Sequence, residues 1–322
     1  MRSFAQWAAA IALAVAAACA HTRPAEEPAM VEYETASWRP LWDYGDPAGS
    51  EERLRDAAVR AGDTELRLEI RTQVARALGL QRRFDEAFAE LAAVESEAAP
   101  ASARLESLLH LERGRTLRSS GDVDAARPEF VAAFEAAHRA HLDYLAVDAA
   151  HMLGIVEPGD AGLDWNARAL DVAATSPDPA VRGWAAVIAN NRGWTLFDLG
   201  RYEESLASLE RALVLRRERP EQEEPIRIAR WCVARLHRAL GRNEEALAEQ
   251  RALLAEYEAL GEPSGYVHEE LGELLLLAGD VDAARPHLAV AHELLSQDPW
   301  LVESEPARLE RLRSLARGEE GK

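Results

Sequence analysis

Few residues in this chain of 322 could do covalent chemistry, and those few are poorly spaced for it. His138 and His141 stand three apart, which places them on one helical face with Asp143 near. His287 and His292 stand five apart and do not align. Zinc sites converge three or four ligands, and neither H-E-x-x-H nor C-x-x-C occurs, so His138 and His141 read as solvated helix surface and no metal is expected. Cys232 lacks a positioned base, because His237 falls on another face, and it reads as packed core. Acidic pairs such as Glu269 and Glu270 are common on charged helices and carry no acid–base signal without burial. Lys322 is the only lysine, which removes Schiff-base and P-loop chemistry. There is no Gly-rich phosphate loop and no G-x-S-x-G. An enzyme, a cofactor and a small-molecule substrate are therefore not expected.

Cys19 is different, because its surroundings invite modification. Arg2 is followed by the uncharged run Ala5–Ala18, too short to span a bilayer comfortably, which reads as a signal peptide. Val15-Ala16-Ala17-Ala18-Cys19 resembles a bacterial lipobox, departing from it at Ala16, where Leu is usual. The resemblance implies that Cys19 becomes a lipid-modified first residue; an ordinary cleaved signal and an uncleaved anchor are the alternatives. Ala20 follows, where enteric lipoproteins retained at the inner membrane carry Asp. The expected location is the bacterial cell envelope, lipid-anchored and periplasm-facing, at the outer membrane. Residues 1–18 are thus read as signal, 19–49 as lipidated N-terminus and tether, and 50–322 as one helical repeat domain.

The remaining residues must be placed by helices. Apolar residues make up 48% of the chain, much of it Ala, which favours tight helix packing. The net charge of -19 opposes a nucleic-acid partner and suits a soluble elongated protein. Asn190–Leu213 splits into two amphipathic helices around a turn at Leu199–Arg201. Small Gly193, turn-forming Gly200, aromatic Tyr202, then Ser205, Leu209 and Ala212 fall at positions 8, 15, 17, 20, 24 and 27 of a repeat. This pattern resembles the tetratricopeptide repeat. Related hairpins start near Leu68, Ser107, Val147, Ala186, Arg227 and Gly265, at separations of 39, 40, 39, 41 and 38 residues. The octapeptide G-D-V-D-A-A-R-P recurs at Gly121–Pro128 and Gly279–Pro286, four periods apart, with Gly at the turn, Asp as cap and Pro inside the second helix. In the third repeat, Pro158 and Gly159 end the first helix early, and the second arrives about four residues too soon. Ser50 is read as the N-cap of a helix Glu51–Ala61, and Glu303–Arg317 as a closing polar helix.

The resemblance implies an all-α fold, a right-handed superhelical solenoid of about six hairpins plus capping helices. It also implies that fifth and ninth positions face a concave groove. By register these include Arg76, Arg115, Asn190, Trp194, Trp231 and Arg235, taken as partner contacts: Arg forks for carboxylates or carbonyls, Trp for flat apolar area. Asn190 and Asn191 could hold a peptide backbone or equally satisfy neighbouring helix ends. Trp38, Trp42 and Tyr44 could cap the first repeat or touch a partner. The leading expectation is a non-enzymatic protein–protein interaction scaffold that binds a peptide or partner helix, with the membrane met through the anchor and no nucleic acid bound. An envelope enzyme with a site beside the aromatic segment and a self-assembling structural repeat are the alternatives.

Overall fold

The computed structural model describes residues 38–98 and 100–319; Cys19, the leader and most of the tether lie outside these. Short acidic and hydroxyl side chains start many of the helices. Asp46, Asp63, Ser102, Asp122 and Asp280 each accept a hydrogen bond from a backbone N–H of the first turn, satisfying groups a helix cannot pair by itself. Left-handed residues turn the chain at Gly121, Gly200, Gly241 and Gly279, as the turn positions predict, and Gly261 ends a helix in the same conformation. At the matching turn of the first repeat Arg82 takes the left-handed conformation instead, at φ 62°.

The chain divides between Arg201 and Tyr202 into two compact units. In the first, a 3-10 turn at Arg39–Leu41 leads to α1 (Pro47–Arg60). Three hairpins follow: α2 (Thr64–Leu80) with α3 (Phe84–Glu97), α4 (Ala103–Ser120) with α5 (Val123–Arg139), and α6 (Asp143–Val156) with α7 (Gly159–Thr175). A short turn of helix α8 (Pro179–Arg182) and then α9 (Trp184–Asp198) complete it. The second unit holds α10 (Tyr202–Arg217), the hairpins α11 (Glu223–Ala239) with α12 (Asn243–Leu260) and α13 (Gly265–Leu277) with α14 (Val281–Leu295), then α15 (Pro299–Ser304) and α16 (Pro306–Arg317). The fold is all-α, and the described residues contain no strand.

Two boundaries differ from expectation. Ser50 is not a cap: α1 begins at Pro47 behind Asp46, and the buried Ser50 hydroxyl instead bonds the backbone of Asp43. The closing helix is two helices, because Pro306 has no N–H to continue the first. Leu309 and Leu312 are nonetheless buried, with Leu315 packed against them.

The small eighth position works through the twenty-fourth. A Cβ on Gly114 would stand 2.6 Å from the Phe130 ring, and one on Gly272 2.6 Å from Leu288. In the third repeat Gly154 meets Asn166 instead, four residues earlier than the regular register, because α6 stops at Val156 and α7 starts at once. The Gly162 Cα lies so close to the Glu157 carbonyl that a Cβ there would stand 2.5 Å from it, which fixes this tight corner. One apolar cluster runs from Trp38 through Leu54, Leu91 and Phe130 to Leu153.

Candidate functional site

The first helices of the first unit carry a chain of charged and polar groups inside an otherwise apolar stack. Arg115 on α4 lies 2.6 Å from Glu112, one turn back on the same helix, and reaches across to Asp148 on α6. Arg76 on α2 stands 3.7 Å from the same Glu112, whose side chain is 1% exposed. Gln73 reaches Glu112 at 3.4 Å, and the Asn191 amide nitrogen on α9 lies 3.1 Å from Nδ1 of His151 on α6. An amide nitrogen can only donate, so this contact fits a neutral imidazole accepting at Nδ1.

The electrostatics follow from burial. Burial pushes the Asp148 carboxyl up, but the adjacent Arg115 and Arg76 guanidiniums more than offset it, and its pKa falls below the usual value. Burial first, then Arg115 and Arg118, drive His151 down to about 4, against the pull of Asp148. Burial and the Arg115 charge also lower Arg118. Asp148 and Arg115 are thus ionised and His151 neutral at neutral pH, a charged pair next to an uncharged hydrogen-bonding ring.

The aromatic segment before α1 covers this face. Trp42 and Tyr44 stack at 5.0 Å, and the Arg76 guanidinium lies 5.6 Å and 5.3 Å from their ring centres. Arg39 lies 3.6 Å over the Tyr144 ring of α6. Tyr144 and His151 both meet Trp184 of α9 edge-on.

The sixth repeat position, not only the fifth and ninth, holds the polar groups: Gln73, Glu112 and Asn191 here, and Glu270 in the second unit, all buried. The sequence carried only a partial signal for this: the sixth position is polar on four of the six first helices and is Met152 and Cys232 on the other two. Arg76 and Arg115 are brought together as their spacing suggests. Asn190 is half-buried, and the amide that joins the network is its neighbour Asn191. Trp194 is 1% exposed and packs edge-on to Phe197, so it is core rather than a groove contact.

In the second unit Trp231 is likewise core at 5% exposure, its indole N–H donating to the Tyr266 carbonyl oxygen. Arg235 and Arg238 converge on the fully buried Glu270, while Arg308 of α16 pairs with Glu269. Burial raises the Glu270 pKa, and the two guanidiniums bring it below the ordinary carboxylate range. His287 does not meet His292; its Nδ1 lies 2.9 Å from Nδ1 of His268 across the last hairpin. Among the described residues no three His, Cys, Asp or Glu side chains converge as metal ligands.

Helical hairpins in series, two of them seating Phe130 on Gly114 and Leu288 on Gly272, with buried polar groups on first helices of both units, define a helical-repeat protein. The particular repeat is given by residues 186–218, which match the family model of the tetratricopeptide repeat, and the chain's fold is that of tetratricopeptide-repeat proteins. One similar structure is a tetratricopeptide repeat protein from Parabacteroides merdae, 16% identical, covering 85% of this chain and 93% of that one with a TM-score of 0.51. The apo form of the quorum sensor NprR from B. thuringiensis is 14% identical over 85% of this chain and 76% of that one, with a TM-score of 0.61. NprR in complex with its cognate peptide NprX is 13% identical, covering 84% and 79%, with a TM-score of 0.58. At these identities the likeness is one of fold. No curated protein matches the chain.

Proposed function

We infer that this is a non-enzymatic interaction protein of the bacterial cell envelope, whose first unit binds an extended peptide segment of a partner along its first helices. The carrying observation is a set of three sixth-position acceptors, on α2, α4 and α9, with Met152 at that position of α6. Gln73 Oε1, Glu112 Oε2 and Asn191 Oδ1 are buried, and none receives a hydrogen bond. An unmet buried acceptor costs about 1–3 kcal/mol, and a peptide backbone supplies N–H donors in a row. The fold likeness to NprR in complex with its cognate peptide supports this reading. The lipobox-like run ending at Cys19 supports the envelope address, where anchoring would raise the local concentration of the binding unit.

Photo-crosslinking from position 190 in native membranes tests the reading. One or a few discrete partner chains are expected, and Arg76→Glu should reduce their yield at least ten-fold. A yield unchanged by Arg76→Glu would show that the partner does not bind along the first helices.

A further inference from the structure

We propose that the segment Trp38–Tyr44 is an internal ligand of the first unit's inner face, and that the partner for this face is a short segment bearing an arginine followed by two aromatic residues, which binds by displacing it. The proposal rests on the inner-face reading above and adds the chemistry of the partner and the means of regulation.

The segment makes contacts of a kind that recognition uses. It meets two first helices, α2 and α6. Trp38, 6% exposed, joins the apolar cluster beside α2. The Trp42–Tyr44 stack lies by Arg76 of the same helix. Arg39 sits on the ring of Tyr144 of α6. An apolar cap would need only the indoles. Here cation–π contacts run both ways, the segment's arginine on the unit's tyrosine and the unit's arginine on the segment's aromatics.

The cover is also imperfect. The Trp42 indole N–H and the Arg39 Nε are buried without an acceptor, and the acceptors of Gln73, Glu112 and Asn191 stay unfilled while the segment is in place. Each such group weakens the closed state relative to one in which donors and acceptors are matched. The tie to α1 is small: Ser50 Oγ bonds the Asp43 backbone at 2.8 Å and 2.9 Å, and Arg53 Nε donates to the Leu41 carbonyl oxygen at 2.9 Å. Helix α1 starts only at Pro47, so the segment can leave without unwinding it. A tethered competitor acts at high effective concentration, so an external segment must match its contacts and fill the groups it leaves unmet.

The test uses the full chain and one probe, a fluorescein-labelled peptide with the sequence of residues 38–47. Anisotropy titrations compare wild type with the combined variant Arg39→Ala, Trp42→Ala, Tyr44→Ala, with circular dichroism confirming that helix content is kept. The variant is expected to bind the probe at least ten-fold more tightly than wild type, and adding Arg76→Glu and Tyr144→Ala should abolish binding. If the combined variant loses helix content, Arg39→Ala alone takes its place, with a gain of two- to ten-fold expected. Equal affinity for both chains that is lost with Arg76→Glu would overturn the internal-ligand proposal and leave the inner face standing. Equal affinity insensitive to Arg76→Glu and Tyr144→Ala would overturn both. Absence of binding to any folded chain would overturn the proposal alone, since crosslinking to native partners tests the inner face without this peptide.

Discussion

His151 makes the first unit sensitive to acid. Unfolded, it takes up a proton near its ordinary value of 6.5; folded, only at about 4. Above the higher value both states are neutral and the ring adds no pH dependence. As pH falls between the two, the unfolded chain binds the proton first, so stability is lost; below about 4 the loss is complete. Between about pH 7.5 and about pH 5 this one side chain should cost about 2 kcal/mol. His151→Gln, which keeps an acceptor for Asn191, should show an acid loss smaller by about that amount in urea unfolding at the two pH values. An identical loss in wild type and variant would show that the ring titrates normally. Glu270 in the second unit illustrates the opposite kind of buried group, a carboxylate kept charged by two guanidiniums. Glu270→Ala leaves Arg235 and Arg238 without this shared partner, and removing one side of a buried pair should cost about 3–5 kcal/mol in unfolding free energy.

The hairpin is set by one close contact, which makes a small substitution expensive. Gly114→Ala would put a methyl group 2.6 Å from the Phe130 ring, and α4 and α5 would have to separate. The gain in helix propensity, about 1 kcal/mol, is outweighed by overpacking of about 1–3 kcal/mol, so a net loss is expected in thermal unfolding. Combining it with Phe130→Leu should recover part of that loss; no recovery would mean the strain lies elsewhere. These hairpins were legible in the sequence because the contact leaves a trace, a small residue at the eighth position and a bulky one at the twenty-fourth, about every forty residues. Pro158 likewise announced the short α6, since it can neither donate a hydrogen bond nor continue the turn. The polar face was less legible. Glu112 and Asp148 look like ordinary acidic residues of an acidic chain, and their burial comes from contacts distant in sequence, Arg115 to Asp148 spanning 33 residues. Register also placed Trp194 and Trp231 on an inward position, but it could not show that neighbouring elements close over them. The segment from Trp38 to Tyr44 has no repeat periodicity at all, so only the fold reveals which helices it crosses.

For the whole molecule the decisive quantities are net charge and attachment. A chain of net charge -19 is repelled by anionic lipid surfaces, so electrostatic adsorption works against membrane residence. Acyl chains act through a different force. Each buried CH₂ contributes about 0.8 kcal/mol, and one chain alone gives only marginal, reversible binding. The acyl groups expected at Cys19 would together exceed that threshold and hold against the charge. The proposed anchor therefore predicts a specific fractionation. Wild type should stay with membranes through washes of low and high salt, because apolar burial does not weaken as screening rises. Cys19→Ala should move to the soluble fraction, and mass spectrometry of the wild-type membrane pool should show an acylated peptide beginning at Cys19. Salt-released wild type would point to attachment through a partner, and an unmodified peptide running through Met1–Cys19 would remove the anchor. If the anchor stands, the same substitution should reduce crosslinking from position 190 in cells while leaving probe affinity in solution unchanged, because it alters the local concentration of the inner face and none of its contacts.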